Sequence, residues 1–432
     1  MNRSAGNPDE RTGRPISWAM AWGILLIAAG ECAWRTFSPN GQRLMDFELL
    51  RAASLLWLHG ADPFAAPPSL LFSQAIDVLR TPVTIYPTTL LLLSPFAMVS
   101  AGLAKIVWEI ATVLMIAGMI AALVNLAGWR WKSRRTLFLA ALVLGFGPIQ
   151  SGALVGQPLM PAATFVLLAL WAFKSRRDFL GGMLLGLAVA WKPQIAIPFV
   201  LFALFKKQWI AGVGAVILVG ILSIVAIAPM QLHHPDWPDS LRKNVNIVFA
   251  PGEMNDFQTS NPSRDHMLNL QMPAYAIYPN REIANIAAFA TFGLLAAIFL
   301  TAVARWHDAK SELLDWSIAA AIGLLPVYHR YYDGALLLLA ACWAIDAAAT
   351  RSSRIAWIVL ALLLTFLAPV GLALTLARDG RIPSAVLASW WWKIIIVPGH
   401  AWALLGICVL LMGERILCAQ RDRRSCAAMA VP

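Results

Sequence analysis

Residues 179–205 read FLGGMLLGLAVAWKPQIAIPFVLFALF. One charge, Lys192, stands in an otherwise apolar run. By length and hydropathy this is membrane-helix sequence. The Lys192-Pro193-Gln194 triplet divides it, because proline lacks the helical N–H donor and its ring clashes with the preceding turn. A backbone break at membrane depth is tolerated only against protein or a water-filled cavity. The stretch predicts two short helices with a lysine at their junction. Lys192 then either snorkels to the surface or faces a cavity and binds a phosphate.

Similar apolar runs recur along the 432 residues, of which 59% are hydrophobic and 13% charged. Soluble domains carry about a quarter charged residues, so a water-soluble core is excluded. A β-barrel is disfavoured because its strands would alternate and these runs do not. The expected fold class is an all-α polytopic membrane protein. Crossings are expected at about 17–37, 103–128, 136–152, 157–173, 179–191, 194–205, 209–229, 282–304, 316–327, 334–349, 355–377 and 398–417. Residues 86–100 read as a re-entrant dip, giving about twelve transmembrane helices (11–13) and cytoplasmic termini.

The net charge of +11 sits in short clusters between runs: Arg130–Arg135, Lys174–Arg177, Lys206-Lys207 and Arg421–Arg424. This is the positive-inside pattern, which reports topology and anionic lipid and not nucleic acid. The five cysteines show neither disulfide nor zinc spacing. The first run reads as a retained signal anchor. The expected organisation is a cytoplasmic tail at 1–16, a single membrane domain at 17–418 and a basic cytoplasmic tail at 419–432. Long outer loops are expected at about 38–102, 230–281 and 378–397, the last ending in a tryptophan run suited to the membrane interface.

The first outer loop opens with MDFELLRAASLLWLHGADPF, residues 45–64. Helical spacing puts Phe47, Leu49, Leu50, Ala53, Leu56 and Trp57 on a wide apolar side. Glu48, Arg51 and Ser54 or Leu55 fall on a narrower polar one, the pattern of an amphipathic helix lying in the interface. Asp46 has two readings: an N-cap, or a general base at headgroup depth taking a proton from a hydroxyl.

Other polar groups gather at predicted outer ends. Tyr86 is a belt aromatic or a substrate contact. Gln157 lies in a short turn and could hydrogen-bond a sugar or phosphate. His329-Arg330-Tyr331-Tyr332-Asp333 is an ordinary loop or a second wall of a site. In that second case Arg330 or His329 would meet a phosphate and Tyr331 and Tyr332 a sugar ring. No nucleotide-binding loop, hydrolase elbow or metal cage is visible.

Taken in order, these pieces resemble a known family. They are the early Asp46-Phe47, Ile85-Tyr86-Pro87, Ser94-Pro95, Gly156-Gln157, and Gly181-Gly-Met-Leu-Leu-Gly-Leu-Ala-Val-Ala-Trp-Lys-Pro193, followed by Lys206-Lys-Gln-Trp209. The sequence is similar to glycosyltransferase family 87, polyprenyl-phosphate-mannose-dependent mannosyltransferases of GT-C type. The resemblance implies a GT-C-like bundle and transfer of a hexose, with mannose the expected sugar. The donor would be a polyprenyl-phosphate sugar and the acceptor a lipid or glycan hydroxyl. Transfer would occur at the outer face of the cytoplasmic membrane, with inversion. It implies Asp46 as base, Lys192, Arg330 and His329 at the donor phosphate, and Tyr86, Gln157, Tyr331 and Tyr332 at substrate. The expected co-substrate is the lipid-linked sugar itself, with no cofactor, no metal and no nucleic acid. Two other classes stay open: a transporter or flippase for a lipid-linked or small substrate, and a non-catalytic subunit of envelope assembly.

Overall fold

The computed structural model describes residues 18–37, 43–65, 82–306, 311–351, 353–367, 374, 376–377 and 379–429. The expected N-terminal tail, parts of the first and third outer loops, and the end of the 355–377 crossing lie outside them. Described elements are α1 (Trp18–Phe37), α2 (Met45–Leu58), α3 (Pro87–Ala97), α4 (Ala101–Ala127), α5 (Arg134–Gly145) and α6 (Gly147–Val155). There follow α7 (Leu159–Lys174), α8 (Asp178–Trp191), α9 (Pro193–Phe205), α10 (Trp209–His233), α11 (Trp237–Val248) and α12 (Gln271–Ile277). The last are α13 (Arg281–Arg305), α14 (Glu312–Gly323), α15 (Leu338–Arg351, entered through a 3-10 turn at Tyr331–Leu337), α16 (Arg354–Leu363), α17 (Ser384–Ala388) and α18 (Gly399–Met429). Among the described residues there is no strand, only an isolated bridge between Met267 and Arg330.

Local sequence sets many of these limits. Ser100 caps α4 by accepting from Leu103 N–H, and Gly128 ends it in the left-handed conformation. Ser133 caps α5 in the same way as Ser100 caps α4. Pro193 opens α9 at the predicted break, with Lys192 extended between the two helices.

Five helical segments are long and apolar enough to cross a membrane: 101–127, 209–233, 281–305, 331–350 and 399–420. A sixth is added if α5 and α6, bent by 49°, count as one span. The chain is thus an all-α, multi-pass membrane protein. The other expected crossings are shorter or less apolar helices. Apolar runs mark burial without separating lipid from protein, and α7, α8, α9 and α14 bury much of their surface in the bundle. The Tyr86–Ser100 dip holds one helix of 11 residues, α3, about 16 Å at the helical rise and too short to cross.

The core centres on Trp316 of α14, stacked on Phe173 and Phe199 with Phe202 edge-on. The glycine-rich α8 lies directly on α10: a Cβ at Gly182 would sit 2.1 Å from the Ala211 carbonyl oxygen. Small residues permit this backbone approach in membranes.

The α2 helix forms where predicted, but protein covers its apolar side. Phe47 stacks on Trp108 and meets Phe96, while Leu49 and Ala53 pack with Phe64, Val83, Leu90 and Met230. Of the two alternatives for the narrower side, Leu55 is the exposed one; Ser54 is buried, its hydroxyl bonded to the Leu50 carbonyl. Arg51 donates to the Phe96 and Val99 carbonyls and Glu48 pairs with Lys105, so the polar side is also docked on protein. Of the tryptophan run, Trp390 and Trp391 are exposed and Trp392 is buried. The α18 helix carries the backbone through the expected C-terminal tail as far as Met429.

The chain enters α2 through a tight contact. Leu44 takes the left-handed conformation (φ 55°) and its N–H donates to the Leu154 carbonyl at 2.7 Å. Gly156 (φ 74°) faces it, and a Cβ there would lie 2.6 Å from Phe47 Cβ. Gly156→Ala should therefore lower stability by about 1–3 kcal/mol, read as an earlier thermal midpoint in detergent. Gly23→Ala, with nothing within 4 Å, should leave the midpoint alone. Equal midpoints for both variants would refute the close-approach argument.

Candidate active site

That contact places Asp46. It lies in the first turn of α2, where the N-cap position falls on Leu44 and no side chain caps the helix. The N-cap reading of Asp46 is therefore replaced: its carboxylate accepts from the Gln157 amide across the α6–α7 turn. Burial pushes the Asp46 carboxyl above its ordinary value of 3.8, while Gln157, Arg330 and Lys192 act in the other direction.

The helix break supplies the facing charge. Ending α8 at Trp191 frees carbonyls, and α3 satisfies them. Thr88 Oγ donates to the Ala190 carbonyl at 2.8 Å and Thr89 Oγ to the Trp191 carbonyl at 3.0 Å. Lys192 Nζ then pairs with Asp333 and lies 4.7 Å from the centre of the Tyr332 ring. Asp333 is buried. Its second oxygen accepts from the Arg330 backbone N–H at 3.1 Å and meets His329 Nδ1 at 3.2 Å. Sequence reading passed over Asp333 as a site residue because it closes a short polar turn whose side-chain directions only the fold reveals.

Arg330 is held by Tyr328, which accepts from Nε, and by the Met254 carbonyl, 3.2 Å from Nη2. Burial pushes the Tyr328 hydroxyl up to about 12, so it remains a neutral hydrogen-bonding partner.

A cavity of about 430 Å³ collects these groups. Asp46, Tyr86, Gln157, Lys192, Arg330 and Tyr332 line it, with Leu49, Leu50, Val83, Ile85 and Trp191 as apolar surface. Tyr86 is half exposed. Two predicted site residues are placed differently. His329 is fully buried and does not line the cavity; it stands behind Asp333. Tyr331 borders the cavity but is turned into the bundle: its hydroxyl donates to the Phe366 carbonyl at 2.7 Å and its ring stacks on Phe366. Among the described residues no group of three His, Cys, Asp or Glu side chains could hold a metal.

The cavity thus brings one carboxylate and two cations together beside the broken helix. The family model for glycosyltransferase family 87 matches residues 85–329. The chain belongs to glycosyltransferase family 87. The match includes Tyr86, Gln157, Lys192 and His329; Asp46 precedes it and Arg330–Asp333 follow it directly, so their place rests on geometry.

Three relatives share the family-87 chain's sequence. A polyprenol-phosphate-mannose-dependent alpha-(1-2)-phosphatidylinositol mannoside mannosyltransferase of Mycobacterium tuberculosis is 28% identical over 53% of this chain and 54% of its own. An alpha-(1->3)-arabinofuranosyltransferase of Corynebacterium glutamicum is 22% identical over 71% of this chain and 68% of its own. A polyprenol-phosphate-mannose-dependent alpha-(1-2)-phosphatidylinositol pentamannoside mannosyltransferase of Mycolicibacterium smegmatis is 24% identical over 44% of each chain. This chain thus spans about half the length of the mannosyltransferases it matches. No solved structure matches it.

Breaking a buried ion pair from one side strands a charge, at a cost of about 3–5 kcal/mol, whereas replacing both partners with apolar groups is far milder. Asp333→Asn should therefore lower the thermal midpoint more than the double variant Lys192→Met/Asp333→Leu. Additive losses would show that the two side chains are not coupled.

Proposed function

We propose that this chain transfers a hexose, mannose in the first instance, from a polyprenyl-phosphate sugar to a hydroxyl of a lipid or glycan acceptor. Transfer takes place at the outer face of the cytoplasmic membrane, with inversion at the anomeric carbon. The supporting observation is the cavity that sets the Asp46 carboxylate within electrostatic reach of Lys192 and Arg330. Two relatives support this choice of donor: both are polyprenol-phosphate-mannose-dependent mannosyltransferases of phosphatidylinositol mannosides.

Helix direction supports the outer face. Gln157 lies just before α7, which ends at Lys174, and Lys192 just before α9, which ends at Phe205 beside Lys206-Lys207. The basic clusters thus stand at the helix ends away from the cavity, as the positive-inside bias requires.

The chemistry is one displacement. The acceptor oxygen attacks the anomeric carbon, its proton passes to Asp46, and the bond from that carbon to the phosphate oxygen breaks. The leaving polyprenyl phosphate takes the electron pair and gains a negative charge. Lys192 and Arg330 lie where that charge develops, and stabilising it in a site shielded from water is a large source of rate enhancement. Asp333 and His329 hold Lys192 from behind. Gln157 orients the base, and Tyr332 and Tyr86 offer ring surfaces to sugar or acceptor.

The test is transfer from labelled polyprenyl-phosphate mannose in proteoliposomes supplied with a lipid and glycan extract. Asp46→Asn keeps the Gln157 hydrogen bond and should abolish most turnover. Near-wild-type turnover would eliminate Asp46 as base; flipping of the donor without a covalent product would replace the transferase reading with the transporter one.

The raised Asp46 carboxyl fixes a pH dependence. Turnover needs the ionised form, so kcat/KM should rise with pH through an apparent pKa above 3.8, the ordinary value. The stability sign is opposite. A raised folded-state pKa favours the protonated form, a contribution present at low pH and lost as pH climbs through the folded pKa. Asp46→Asn should therefore match or exceed wild-type stability at neutral pH, checked by thermal midpoints across pH. A less stable Asn variant there would contradict the burial argument.

A further inference from the structure

The proposed chemistry leaves one wall of the cavity unused. The loop following α11 contributes Met254, Asn255, Ser263 and His266 to it. This loop is braced from within. Asp256, nearly fully buried, accepts from the Gly252 and Gln258 backbone N–H groups at 2.8 and 3.2 Å and from Ser260 Oγ at 3.0 Å. Asn261 donates to the Met254 and Asp256 carbonyls and accepts from the Ser263 N–H at 2.8 Å. Further on, Leu268 N–H donates to the His329 carbonyl at 2.9 Å, which fastens the loop to the Arg330 turn.

Two buried asparagine oxygens of this loop, Oδ1 of Asn255 and of Asn269, stand outside the network, and of the two residues the one that lines the cavity is Asn255. It is only 8% exposed and lines the cavity, yet its Oδ1 has no hydrogen-bond partner among the described residues. An unmet buried polar atom on a residue that borders a cavity is one that a ligand or water can complete. The terminal torsion of asparagine is broad and two-fold, so either end of the amide can be presented. An amide that both accepts and donates suits a sugar hydroxyl, itself both donor and acceptor.

Position selects which sugar. The Met254 carbonyl, one residue away, is bonded to the Arg330 guanidinium, the group assigned above to the leaving phosphate. The sugar attached to that phosphate must lie beside it. The apolar surface of Leu49, Val83, Ile85 and Trp191 offers that ring few hydrogen bonds and suits the lipid better. We propose that Asn255 hydrogen-bonds a hydroxyl of the sugar being transferred and so helps select which polyprenyl-phosphate sugar is used. The inference rests on the transferase reading, which it deepens by naming the donor-sugar subsite.

The experiment compares wild type, Asn255→Ala and Asn255→Asp in proteoliposomes. The donors are polyprenyl-phosphate mannose and its 2-, 3-, 4- and 6-deoxy forms. Asn255→Ala should lower kcat/KM for the full donor about 10–100-fold, the factor a lost buried hydrogen bond is worth, with the acceptor KM unchanged. On the one deoxy donor lacking the bonded hydroxyl, wild type and variant should converge to within about twofold, the signature of a coupled pair. Asn255→Asp keeps an acceptor oxygen and should recover part of the loss, while unchanged thermal midpoints exclude misfolding. An equal loss on every deoxy donor, no loss at all, or a loss confined to the acceptor KM would overturn the assignment. Wild-type protein that uses no polyprenyl-phosphate sugar would instead bring down the transferase reading, and this inference with it.

Discussion

The ion pair between Lys192 and Asp333 is the constraint on which the rest of the site depends. It joins a break in one helix to the turn that opens another, 141 residues later. An ammonium in apolar surroundings is tolerable only with a partner. Asp333, in turn, is held by the Arg330 backbone and by His329. Together these bonds fix where Arg330 and Tyr332 reach the cavity. One buried carboxylate thereby organises two cations, and Asp46 is set near them by a separate contact, the close approach of Phe47 to Gly156.

Much of this was legible in the chain. A single lysine before a proline in an apolar run marks a break, and of the two fates open to it, snorkelling or facing a cavity, the fold shows the second. An acid after a membrane-length run asks for a reason, and Asp46 has one in Gln157. What escaped was whatever depends on three-dimensional neighbours. Apolar periodicity gave α2 its span but not the protein that covers its apolar side, because leucines packed on Trp108 and leucines dissolved in lipid look alike in sequence. Ser54 is read as polar by type, yet it spends its hydroxyl on the preceding turn and is buried. The number of crossings likewise does not follow from apolar runs alone, since short helices sheltered by protein need not reach both membrane faces.

The His329–Asp333 turn shows the limit at single residues. His329 and the extended Arg330 lead into the 3-10 turn that begins at Tyr331, and along this stretch His329 and Tyr331 face the interior while Arg330 and Tyr332 face the cavity. Residue types alone made all four equally good ligands. Asn255 lay further out of reach, since an asparagine in a long polar loop is ordinary until the hydrogen bonds around it have been traced.

The threonine bonds from α3 to the end of α8 carry a mechanical consequence. Thr88 and Thr89 follow Tyr86 at the mouth of the cavity, and the carbonyls they hold immediately precede Lys192. Tyr86 and Lys192 are thus tethered through a few short bonds. Any displacement of α3 must either strain those bonds or carry the lysine with it, so a push at the rim of the cavity is felt at its charged wall.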